Sequence, residues 1–168
     1  AKTEEESGDM SQAPLIDKLE ELVDLPVSEF VLHRKPMLLL DRVTSLKEES
    51  ASCEWRVGED GLFFIPGLGV PSYIGIEYMA QCMAVHGGAC ERTRGLPPHR
   101  GLLLGTRRFQ TQVQYFVNGV TYQATCKKLI SNAQGMSSYD CRILLKDEAI
   151  AQAVISVLQK SQGEFFNE

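Results

Sequence analysis

The sequence predicts an α+β domain, an antiparallel sheet wrapped around one long central helix, and three observations carry that prediction. Residues 71–92, "PSYIGIEYMAQCMAVHGGACER", form one long apolar segment opened by a Pro–Ser pair, the chemistry of a helix start. Long β-branched and alternating runs follow it, near 101–116, 119–131 and 136–159. A single apolar helix among antiparallel strands loses its apolar surface on several sides only if the sheet curls around it.

Taken in order, residues 1–12 ("AKTEEESGDMSQ") are acidic and polar and read as a disordered tail, 13–160 as one domain, and 161–168 as a C-terminal tail. "APLIDKLEELVDLP" spaces Leu15, Ile16, Leu19, Leu22 and Val23 as a short amphipathic helix ended near Pro26. "PMLLLDRVTSLKEES" and "ASCEWRVGED" read as a strand pair, the second alternating Cys53, Trp55 and Val57 with polar neighbours. Within the long helix Ala80, Ala84 and Gly88 recur at steps of four, a flat stripe on which a sheet can pack closely. "VNGV" and "NAQG" supply turns between the later strands, and "LKDEA" breaks the last run. A small sheet of this kind exposes an edge, and pairing two edges in a dimer is one way to cover it.

At 168 residues the chain fits one domain. Its 43% apolar and 23% charged residues are ordinary for a soluble protein, and no run approaches the roughly 20 apolar residues of a membrane helix. A net charge of −5, with 17 basic residues scattered among 22 acids, gives no basic stripe for nucleic acid. Five cysteines form no CxxC metal or redox motif and read as packing residues, and no metal or other cofactor is expected. The first residues lack the basic start and apolar core of a signal peptide, which makes a reducing cytoplasm the default location.

One residue conflicts with a merely structural helix. Glu77 is a lone carboxylate among Ile74, Ile76, Tyr78, Met79 and Ala80, and an ionised carboxylate is costly to bury without partners. Around it the wording of the chain resembles a known family. "LHRKPMLLLDRV" is similar to the "PHRyPfLLvDRV" opening of the hot-dog-fold 3-hydroxyacyl-acyl-carrier-protein dehydratases of fatty-acid synthesis, and "VPSYIGIEYMAQ" to their "MPGvLiiEamAQ" helix. "GTRRFQTQVQYFVNGVTYQATC" matches their "karFrrpVvPGDqL" strand pair more loosely. "LLLGTRRF" and "GVPSYIGIEYMAQ" are closer to the ApeP-like dehydratase proteins of aryl-polyene clusters.

The resemblance implies a hot-dog fold and dehydration of a 3-hydroxyacyl thioester, which needs an acid–base pair flanking the substrate. In the family that pair is a loop histidine and a helix carboxylate from different subunits, and a backbone amide at the helix start polarises the thioester carbonyl. Glu77 falls at the carboxylate position and Gln81 completes E-x-x-A-Q, while Pro71 and Ser72 fall at the helix start that faces substrate. The family's histidine position lands on Phe63, in "LFFIPG", so the usual pair is incomplete. His33 is the leading substitute base, although its simpler role is to hold the HR-P loop. Phe63 and Phe64 are candidates for an acyl tunnel or for plain core. Arg107 and Arg108 suit either an acidic carrier protein and its pantetheine phosphate or a solvated strand. His86, nine residues after Glu77, lies about 13 Å along the helix on the opposite face and reads as a polar residue near the helix end, and His99 reads as a loop residue.

The partners implied are an acyl carrier protein or acyl thioester, and a homodimer or a heterodimer with a hot-dog dehydratase that supplies the missing histidine. Two other functions stay open: an acyl-thioester hydrolase using one helix carboxylate, and an acyl-binding module without chemistry.

Overall fold

A computed structural model describes residues 15–98 and 100–160. The expected tails at 1–12 and 161–168, the start of the first helix, and His99 lie outside the described residues. Helix α1 (Leu15–Glu21) turns Leu19 fully into the core, as its spacing requires. Strands β1 (Arg42–Leu46) and β2 (Ser50–Arg56) form the expected antiparallel hairpin. A short strand β3 (Val70–Pro71) and a 3₁₀ turn (Ser72–Ile74) lead into α2 (Gly75–Thr93). The strands that follow are β4 (Arg100–Thr111), β5 (Tyr115–Phe116), β6 (Thr121–Ser131), β7 (Met136–Leu145) and β8 (Glu148–Lys160). At the break between β7 and β8, Lys146 and Asp147 both have positive φ (49° and 65°), the two-residue turn whose twist suits a tight hairpin.

Six strands make one sheet in the order β1-β2-β6-β7-β8-β4, antiparallel throughout, and β3 pairs with β5 beside the start of α2. Alternation turns Ala51, Cys53 and Trp55 of β2, Tyr122, Ala124 and Cys126 of β6, and Tyr139, Cys141 and Ile143 of β7 toward the helix. Small side chains there let α2 settle deep: the Cys82 thiol reaches the Ala51 and Ala124 carbonyls at 3.5 Å and Cys126 Sγ at 3.8 Å. All five cysteines are free, four of them buried, in keeping with a packing role. An aromatic cluster anchors the first half of α2, with Tyr78 stacked on Trp55 at 3.9 Å and Phe116 edge-on to both. Such contacts add about 0.5–1.5 kcal/mol each beyond the area they bury.

The stripe on α2 serves a different purpose from the one expected. Gly88 packs on the backbone of Phe30, in the segment that follows the 3₁₀ turn Val27–Glu29, and Ala80 and Ala84 face a cavity rather than the sheet. The helix sits over β2, β6 and β7, so β8 and β4 extend past it and leave space between. No helix among the described residues is long and apolar enough to cross a membrane.

Candidate active site

That space is a cavity of about 410 Å³, a size usual for small-ligand sites. Its walls are Ala80, Met83 and Ala84 of α2, Leu103 of β4, Val157 of β8 and the segment Val31–His33. The lining is mainly apolar, and its ionisable groups are Glu77 and His33.

The structure brings these two residues together from distant parts of the chain. His33 Nε2 lies 3.9 Å from Glu77 Oε1, and the side chains keep 36% and 37% of their exposure. Glu77 is therefore neither a surface residue nor a sealed one; it borders the cavity. The gap is too long for a hydrogen bond and short enough to close when a substrate binds. His33 Nδ1 is buried without a hydrogen bond among the described residues, so the chemically available edge of the ring is Nε2.

Local geometry explains why the HR-P-LLLDRV opening is needed. Arg34 Nη1 donates to the carbonyls of Val31 (2.9 Å) and His33 (2.8 Å), folding the loop that carries the imidazole. Asp41 Oδ2 accepts the Arg56 amide at 2.7 Å, which closes the end of β2. Gln81, fully buried, is the joint between loop and helix. Its Oε1 accepts the Leu39 amide at 2.8 Å, and its Nε2 donates to the Met37 carbonyl at 2.7 Å and to Glu77 Oε1 at 2.9 Å. This leaves Glu77 Oε2 without a hydrogen bond among the described residues, free to meet a ligand.

Other expected site residues lie elsewhere. Gln81, expected among the substrate-binding positions, stands behind Glu77, because every polar atom it has is spent on the loop and the carboxylate. Phe63 and Phe64 pack on the core and do not line the cavity. Their loop closes on itself through Gly61 N–H to Gly58 O, Phe64 N–H to Gly61 O and the Ile65–Gly69 bridge, which turns it away. Pro71 is buried in β3, and the Ser72 amide is committed to the Gln114 carbonyl at 2.9 Å, so that amide is not free for a thioester oxygen. Arg107 and Arg108 are exposed on β4 away from the cavity, Arg108 with φ 54° inside a bulge.

His86 is fully buried on the far side of α2. Its Nε2 lies 2.9 Å from the Glu48 carbonyl, which can only accept, so Nε2 carries the proton and Nδ1 accepts from the Tyr139 hydroxyl at 2.9 Å. Burial pushes its pKa below the usual imidazole value, and the Glu48 carbonyl offsets part of that. His86 thus ties the β1–β2 turn to the helix, a role the sequence reading, which set it near the helix end, did not anticipate. Gln159 and Gly101 of the cavity wall were also missed, since only the β4–β8 register, which pairs them, reveals that they meet.

Comparison with known proteins agrees with this architecture. The family model described as ApeP-like, ApeP dehydratase, matches residues 25–167. No curated protein matches the chain. Among solved structures, the dehydratase heterocomplex ApeI:P from Xenorhabdus doucetiae superimposes with a TM-score of 0.78 at 24% identity, covering 86% of this chain and 99% of that one. A hypothetical thioesterase with coenzyme A from Streptococcus pneumoniae gives 0.57 at 6% identity, covering 72% and 86%. The protein smu.793 from Streptococcus mutans, bound to acetyl-CoA, gives 0.57 at 8%, covering 78% and 92%. These likenesses establish the hot-dog fold.

Proposed function

Since the chain belongs to the ApeP-like dehydratase family, we propose that it is a subunit of a heteromeric hot-dog dehydratase acting on 3-hydroxyacyl thioesters, with Glu77 and His33 as its own acid–base pair. The observation that carries this reading is the approach of His33 Nε2 to Glu77 at 3.9 Å on the wall of a mainly apolar cavity. His33 thereby stands in for the imidazole that the family pattern places where this chain has Phe63.

The pair need hold only one proton for the reaction to balance. His33 Nε2 takes the proton from C2, the C2–H electrons form the C2=C3 double bond, and the C3 hydroxyl leaves as water with the proton from Glu77 Oε2. The enzyme then carries its proton on His33 instead of Glu77, and exchange of that proton with solvent, with Oε2 reprotonated in turn, restores the start. Gln81 holds Oε1, so that Oε2 is the oxygen offered to substrate.

A partner is supported by the long outer edge of β4, the end strand of the sheet, on which Leu102, Leu103 and Leu104 are each about half exposed. Such an edge asks to be paired. The ApeI:P structure, a dehydratase heterocomplex, offers a precedent for pairing with a second subunit. We assign the substrate to fatty-acid or polyene-type chains on an acyl carrier protein, in the cytoplasm, where the free thiols suit a reducing medium.

The test is to incubate the purified chain, alone and with a histidine-bearing hot-dog partner, with 3-hydroxyacyl carrier protein and to assay enoyl product and free acid. Enoyl product is expected, reduced by about a hundredfold or more in Glu77→Gln and in His33→Asn. Free acid as the main product would make the chain a thioesterase. Full enoyl formation in both variants would remove the pair from the mechanism.

A further inference from the structure

One polar side chain on the cavity wall has no part in the chemistry just described. Gln159, on β8, lines the cavity, and among the described residues its carboxamide takes no hydrogen bond. The amide lies against Gly87 of α2, where a Cβ would come within 3.3 Å of Gln159 Cδ and 3.5 Å of Oε1, and inside contact range of Nε2. A Cβ at that position would push the amide aside, a movement the flexible glutamine side chain can make. Across the β4–β8 register stands Gly101, which also lines the cavity and has nothing near where a side chain would be. Gly87 is ten residues beyond Glu77, which sets the amide about 15 Å along the helix from the carboxylate. Ala80 and Ala84 keep the helix face between them low.

We propose that Gln159 forms a second polar subsite that receives a hydrogen-bonding group, such as a hydroxyl, at the end of an acyl chain whose thioester lies at Glu77. This rests on the acyl-thioester reading above and adds to it the chemistry of the chain's far end. A methyl terminus would cover the amide and leave it unpaired. A terminal hydroxyl would satisfy it. Because an unmade hydrogen bond to a covered polar group costs more than a made one gains, the site selects mainly by rejecting the methyl.

The test uses binding, so that it does not depend on turnover. The full chain, in whichever assembly it forms, is titrated by calorimetry with dodecanoyl-coenzyme A and with its ω-hydroxyl derivative. The hydroxyl-ended thioester should bind about tenfold more tightly. Gln159→Leu should erase or invert that preference by weakening the hydroxyl-ended probe and sparing the methyl-ended one. Gly87→Ala, which displaces the amide without removing it, should erase it too. Equal binding of the two probes to the wild-type chain, or a preference that survives Gln159→Leu, overturns the subsite and leaves the dehydratase reading standing. No binding of either probe overturns both.

Discussion

Replacing Gly88 with alanine sets two known effects of opposite sign against each other. In a helix interior the change favours folding by about 1 kcal/mol through backbone entropy. Here, however, the new Cβ would lie 2.8 Å from the carbonyl carbon of Phe30 and 3.0 Å from its Cα, and closer still to its oxygen. Ordinary carbon contacts need about 3.5–4.0 Å, so helix and segment must part by about 1 Å. The obstacle is backbone, which cannot rotate aside as a side chain would. Overpacking of this kind costs about 1–3 kcal/mol, and for an unyielding neighbour the upper part of that range applies. The net expectation is a loss of about 1–2 kcal/mol, seen as a lower urea midpoint with unchanged slope and a Tm lower by about 3–6 °C. The displaced segment runs from Phe30 to His33, so the imidazole should also retreat from Glu77. A misplacement near 1 Å costs about a hundredfold in rate. A Gly88→Ala chain more stable than wild type would refute the close approach, and one that is destabilised but fully active would show that the segment does not position His33.

Two further expectations concern buried polar groups. Gln81→Leu leaves the Leu39 amide and Met37 carbonyl unpaired, and should destabilise the fold by about 2–4 kcal/mol in denaturant titrations while freeing Glu77 Oε1. His86 is held neutral, with a folded pKa below its unfolded value near 6.5, so its contribution is fully present above about pH 6.5 and is lost as pH falls through the folded value. The gap in urea midpoint between wild type and His86→Gln should therefore narrow between about pH 7.5 and about pH 5.5, and a gap independent of pH would contradict the neutral His86.

The architecture was legible because alternation and helical spacing report which faces are buried. The helix and the later strand runs fell within a few residues of their observed bounds, whereas the run 36–50 kept only Arg42–Leu46 as strand and the run 101–116 divided into β4 and the separate β5. Glu77 stood out because the residues around it are apolar. Its partner was harder to see. Whether His33 reaches the helix depends on Arg34 and Gln81 bonding to main-chain carbonyls and amides, and the motifs mark those two residues without saying which main-chain groups they bind. Phe63 was marked by its offset from the carboxylate, but sequence spacing says nothing of a loop that hydrogen-bonds to itself. The alanine and glycine stripe was recognised while its neighbour was mistaken: small residues announce close approach without saying whether loop, sheet or empty space will fill it.

The outer side of β4 also bears on how the chain must be handled. Its stretch Leu102–Leu104, with exposed leucines and no proline, lies before the bulge and the arginines that blunt the rest of the edge, and offers main-chain groups that another strand can pair with. On the two-subunit reading proposed above, chains made in excess of the partner should therefore be lost to aggregation before they are lost to unfolding. Soluble yield should then follow the ratio in which the chain and that proposed partner are produced.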